Sequence, residues 1–117
     1  SFGGGFGSLR EICGGVSGAG IILGLLYYDA NPENKKAKAE HYARVQEFAK
    51  SFEAINGSYI CRNLLQAKIK VTTDPTPDER TPEYFKSRPC AKLVDDAVKL
   101  LEEYIVRHPL PGVNMPQ

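Results

Sequence analysis

A chain of 117 residues with 42% hydrophobic and 25% charged side chains is long enough for one domain with a modest core and too short for two. Fifteen Lys and Arg against fourteen Asp and Glu leave a formal charge of +1, and no basic stripe is interleaved with aromatics, which argues against a nucleic-acid surface. Three cysteines are odd in number and too few for a disulfide framework, so a reducing compartment, the cytoplasm, fits best.

The chain opens on SFGGGFGSLREICGGVSGAG, in which eight of twenty residues are glycine. Glycine at this density marks close approach of backbone to another helix or to a bound group. Ser8 to Glu11 reads as a capping box, so a first helix is expected from about Leu9 to about Tyr28, with Cys13 in its second turn. The uncharged run Ile12 to Tyr28 is at the lower limit for a bilayer span, but Gly14, Gly15, Gly18, Gly20 and Gly24 dilute it and no second apolar span follows. No membrane segment is therefore expected. A buried helix in which Gly14 and Gly18, or Gly20 and Gly24, admit a close neighbour is the better account.

Asn31 as cap with Pro32 at the first helical position starts a second helix, about Pro32 to Ile55. Its His41, Val45, Phe48, Phe52 and Ile55 recur at spacings of four and three. Asn56-Gly57-Ser58 stops it and caps a third, about Tyr59 to Lys68, with Cys61 in its first turn; Ile69 to Val71 has no alternating partner strand. Residues 72–80, with Pro75 and Pro77, read as a flexible exposed loop. Thr81-Pro82-Glu83 caps a short turn or helix to about Lys86. The last long helix runs from about Pro89 to Val106, with Cys90 in its first turn and Leu93, Val94, Ala97, Leu100, Leu101, Tyr104 and Ile105 as its apolar stripe. The expected whole is all-α, a single small bundle of about four helices over 1–117. Its glycine-rich loop is 1–8 and its non-helical tail 108–117.

Cys13, Cys61 and Cys90 lie 48 and 29 positions apart, without the close spacing of zinc ribbons, ferredoxin loops or CxxC motifs. What they share is a place in the first or second turn of an expected helix, where free amides favour the thiolate. The thiolate ligates metal, attacks disulfides and is oxidised. Against this stands the tendency of cysteine to serve as a small buried hydrophobe. His41 and His108 read as surface or packing residues. Asp95-Asp96 and Glu102-Glu103 are sequence neighbours, about 100° apart on a helix, a poor geometry for paired acid and base. Ser8 and Ser17 have no visible base, and GGGFG lacks the preceding strand and GK[ST] ending of a phosphate loop.

Phe2-Gly3-Gly4-Gly5, Glu11 to Ala19 and Leu23-Gly24-Leu25, with Cys61 in YICRNLL and Cys90 in RPCAKLV, resemble the C_GCAxxG_C_C family of redox-active proteins, related to a domain of split-Soret cytochromes. The resemblance spans roughly Phe2 to Tyr104. It implies a small helical protein whose Cys13, Cys61 and Cys90 carry redox chemistry or ligate metal in an iron–sulfur cluster, with Gly3, Gly4, Gly5 and Gly14 beside the bound group. Gly15 departs from the alanine or cysteine common there. The family's first cysteine, on an upstream helix, has no counterpart, so three thiolates leave a four-ligand cluster incomplete unless a residue ahead of Ser1, another subunit or an exogenous ligand supplies the fourth. The absence of CxxCH leaves covalent haem attachment unsupported.

The leading expectation is thiol/disulfide or iron–sulfur electron transfer with an unidentified redox partner. The alternative is a helical binding or structural module, including a homo-oligomer, with the cysteines as core residues. An enzyme with a pocket beside Cys13 is left open and lacks a visible general base. Convergence of the three sulfurs on one cavity at the glycine-rich segment favours the redox reading; their scatter through the core favours the module.

Overall fold

A computed structural model describes residues 1–66 and 69–110. Among them are six helical segments: α1 (Gly3–Phe6), α2 (Gly14–Tyr27), α3 (Lys35–Asn56), α4 (Cys61–Gln66), α5 (Pro82–Ser87) and α6 (Cys90–Arg107). The all-α expectation holds, with the four expected main helices found as α2, α3, α4 and α6, the short turn or helix after Thr81 found as α5, and α1 added within the glycine-rich loop. Residues 67–68, the expected end of the third helix, and 111–117, most of the expected tail, lie outside the described residues.

Three long helices make the core. Val16, Ala19 and Leu23 of α2 and Leu93, Ala97, Leu101 and Tyr104 of α6 recur at helical spacing and meet Phe48 and Phe52 of α3. Leu23 and Phe52 are fully enclosed, each contributing roughly 1.5–3 kcal/mol by leaving water. At one end of this core Arg44 Nε donates to Tyr104 Oη at 2.8 Å, and Tyr27 meets the Tyr104 ring edge-on. His41 is buried against Tyr28 with its Nδ1 2.8 Å from Arg44.

Two helix starts differ from the sequence reading. The first long helix begins at Gly14, five residues later than expected, because Ser8 and Arg10 have φ of +71° and +62° and cannot enter a right-handed helix. Ser8 does not cap it; its Oγ donates to the Asp74 carbonyl 66 residues away. Cys13 thereby moves from the second turn to the cap position. The second long helix begins at Lys35, where the Asn34 side chain accepts from the Ala37 amide, and Asn31 instead caps a turn by accepting from Glu33. Thr81 and Gly57 behave as read, Thr81 accepting from Tyr84 and Gly57 ending α3 at φ +87°.

The glycine pairs also differ. A methyl group built on Gly18 or Gly20 meets nothing, one built on Gly14 would lie 2.9 Å from the Phe2 carbonyl oxygen, and one on Gly15, which the spacing argument passed over, would sit in ordinary contact at 3.4–3.6 Å with Ala97, Val94 and Leu93 of α6. The α2 helix is buried on one face only: Ile21, Ile22, Leu25 and Leu26 are exposed. No helix among the described residues is long and apolar enough to cross a membrane.

Candidate functional site

The N-terminal segment folds back on itself through left-handed backbone. Gly4, Gly5 and Gly7 take φ of +62°, +68° and +58°, and Phe6 follows at +72°. The Arg10 and Glu11 amides donate to the Gly4 and Gly5 carbonyls at 3.0 and 2.8 Å, closing the loop. Gly5 sits so close beneath the next segment that a Cβ would lie 2.6 Å from the Glu11 nitrogen and 2.7 Å from Cys61 Cβ. Its glycine identity is thus tied to the position of a cysteine.

Residues 11–13 and 59–61 then pair as the smallest antiparallel ladder, a bridge between Ile12 and Ile60. The Cys13 amide donates to Tyr59 O at 2.9 Å and the Cys61 amide to Glu11 O at 2.6 Å. Because strand side chains alternate, Cys13 and Cys61 leave the ladder on the face opposite Ile12 and Ile60. Ile12 is exposed while Cys13 and Cys61 are buried. The third cysteine arrives from α6. Pro89 and Cys90 start that helix, and Leu93 and Ala97 anchor it in the core against Gly15.

All three cysteines line one cavity of about 770 Å³, together with Gly3, Gly4, Gly5, Gly14 and Gly15. They are free thiols, Cys13 and Cys61 buried and Cys90 exposed at the cavity wall. A charge on Cys61 bears on Cys13, and charges on both Cys61 and Cys13 bear on Cys90, so the three thiols are mutual neighbours. Helix-start position does not by itself favour the thiolate here. Burial pushes the Cys13 thiol up against the pull of the Gly15 and Val16 amides, and burial likewise pushes Cys90 up against the Arg88 guanidinium. Arg10 Nη1 faces Cys61 Sγ at 3.9 Å, placing a cation beside that sulfur and beside neither of the other two at hydrogen-bond distance among the described residues.

Several lining residues were not singled out from the sequence. Residues 72–80, read as an exposed loop, form a wall through Thr72, Pro75, Thr76, Pro77, Asp78 and Arg80. Arg10 Nε donates to Thr72 O at 2.9 Å and Ser8 Oγ to Asp74 O at 2.9 Å, which pin that wall to the glycine loop. Arg88 pairs with Asp78 at 2.5 Å and lies over the Tyr84 ring. A local signal did exist: Arg10 and Arg88 stand three and two residues ahead of Cys13 and Cys90. The other candidates play other parts. His41 is a core residue, His108 stacks on Tyr104, and Asp95 and Asp96 pair with Lys99 and Lys92.

The family model described as "Putative redox-active protein (C_GCAxxG_C_C)" matches residues 1–104. The chain belongs to the C_GCAxxG_C_C family. No curated protein and no solved structure matches it. The cysteine-lined cavity lies wholly within the matched span. An iron–sulfur cluster held by cysteine alone asks for four thiolates, one more than line the cavity. Among the described residues no group of three His, Cys, Asp or Glu is set to hold a metal ion. The donor set as it stands does not complete a cluster site.

Proposed function

We propose that this family member works as a dithiol/disulfide redox protein of the cytoplasm, with Cys61 as the thiol common to every exchange and Cys13 and Cys90 as its alternative partners. The observation that carries the reading is that three cysteines, remote in sequence, line a single cavity. A thiol system needs only two sulfurs that can meet, whereas core filler has no reason to share an opening to solvent. The glycine loop serves it by letting backbone pass directly beneath Cys61.

The test is a thiol count on anaerobically purified protein before and after a mild disulfide-forming oxidant, alongside iron and acid-labile sulfide assays. Loss of two thiols per chain, reversible by dithiothreitol and without covalent dimer, is the expected result. Stoichiometric iron and sulfide, with thiols protected from the oxidant, would replace this reading by the cluster.

The exposed Ile21, Ile22 and Leu25 on α2 favour a second reading, a module that pairs with its own copy. It predicts a dimer by light scattering that Leu25→Glu dissociates. Serine at each cysteine would then leave the assembly intact.

A further inference from the structure

The charge on the cavity wall bears on what enters it. Four charged side chains line the cavity, and three of them are arginines: Arg10, Arg80 and Arg88 against the one carboxylate of Asp78. Arg88 is paired with Asp78, whereas Arg10 and Arg80 are held by contacts that leave their charge in place. Arg10 is fixed by the Thr72 carbonyl, and Arg80 and Arg88 lie over the same Tyr84 ring at 5.6 and 4.5 Å. Asp78 is already engaged by Arg88. Among the described residues Arg80 makes no ion pair. A solvated protein surface with a chain charge of +1 offers no general reason for this local excess. Thr72, Thr76 and Tyr84 add hydroxyl-bearing side chains to the lining.

We infer that the cavity takes a small organic disulfide bearing carboxylates, held by Arg80 with its sulfurs toward Cys61. The inference rests on the thiol reading above. The volume suits a ligand of peptide or metabolite size rather than a protein loop or a bare oxyanion. Planar guanidiniums match carboxylates with paired hydrogen bonds, which lysines do not. In the reaction the Cys61 thiolate attacks one substrate sulfur, forming a mixed disulfide and expelling the other as a thiolate. A second cavity thiol, Cys13 or Cys90, then attacks Cys61 Sγ, forming the protein disulfide and releasing the second substrate thiolate. The two protons lost by the protein thiols are taken up by the two leaving thiolates, so one disulfide is reduced to two thiols as the protein dithiol is oxidised.

Three disulfides of matched chemistry and different charge separate the possibilities: oxidised glutathione, bis(2-hydroxyethyl) disulfide and cystamine. The rate of protein thiol loss is measured with each, for the wild type, Arg80→Gln and Arg80→Glu. Arg80 is exposed and makes no ion pair among the described residues, so neither variant is expected to unfold the chain. The expected result is a drop of about fivefold for Arg80→Gln and about tenfold or more for Arg80→Glu with oxidised glutathione. No change is expected with the neutral disulfide, and a rise with cystamine. An equal effect of Arg80 substitution on all three would overturn the inference. Calorimetric binding of S-methylglutathione to the reduced wild type separates it from the thiol reading, since a thioether cannot exchange. Binding that weakens with salt and in Arg80→Glu supports the anion site even if no disulfide reacts. Absence of binding overturns the site while leaving the thiol reading standing.

Discussion

Gly5 and Gly18 carry the same side chain and opposite consequences. At Gly5 a methyl group would enter the space of the Glu11 nitrogen and Cys61 Cβ, at a φ of +68°. Gly5→Ala is therefore expected to cost roughly 2 kcal/mol or more in urea unfolding and to disturb Cys61 reactivity. At Gly18 the added methyl meets nothing and the site is helical, so Gly18→Ala should stabilise by about 0.5–1 kcal/mol. His41 gives a pH signature. Burial, with the nearby Arg44 charge, holds its pKa below the ordinary histidine value. The unfolded chain thus binds a proton that the folded chain refuses. Stability should be unaffected above about pH 6.5 and fall as the pH drops below it, with unfolding midpoints at pH 7.5 and 5.5 as the measure. His41→Gln should flatten that dependence. The cysteines were legible at this scale because their identity is local information. The roles of the individual glycines were not, since they depend on neighbours up to 82 positions away, such as Ala97 against Gly15.

The elements that carry strong local rules were read correctly from sequence. Thr81-Pro82, Gly57 and the apolar spacing of α6 each decide structure within a few residues. The capping box at Ser8 failed because a competing use won: its hydroxyl goes to Asp74, and the backbone at Ser8 and Arg10 is left-handed. That competition fastens residues 72–80 to the glycine loop, among the described residues, through the side chains of Ser8 and Arg10. Ser8→Ala combined with Arg10→Gln should release the segment, and limited proteolysis should then cut between Thr72 and Arg80 several-fold faster than in the wild type. Gly15 faces α6 with room for a methyl group and little beyond it, so Gly15→Val should cost about 1–3 kcal/mol by pressing on Leu93, Val94 and Ala97. An unchanged melting temperature would show that the helices have another way to accommodate each other.

On the scale of the molecule, the three-helix core of α2, α3 and α6 sets where the cavity can form. The core brings Cys90 at the head of α6 to the level of Cys13 at the head of α2, and the Ile12–Ile60 bridge adds Cys61. Sequence spacing could supply the expectation of an all-α bundle and the three candidate thiols. It could not supply the bridge, which is one residue pair long, or the arginine-bearing cavity lining, which gathers Arg10, Arg80 and Arg88 from three separate segments, one of them proline-rich and without periodicity. The account stands on Cys61 as the shared thiol. The direct measurement is a mass-spectrometric disulfide map of oxidised wild-type protein and of Cys61→Ser. The wild type should show Cys13–Cys61 or Cys61–Cys90 links within one chain, and Cys61→Ser should lose intramolecular links almost entirely while remaining folded by circular dichroism. A Cys13–Cys90 link in folded Cys61→Ser at wild-type yield, or no intramolecular link in the wild type, would contradict it.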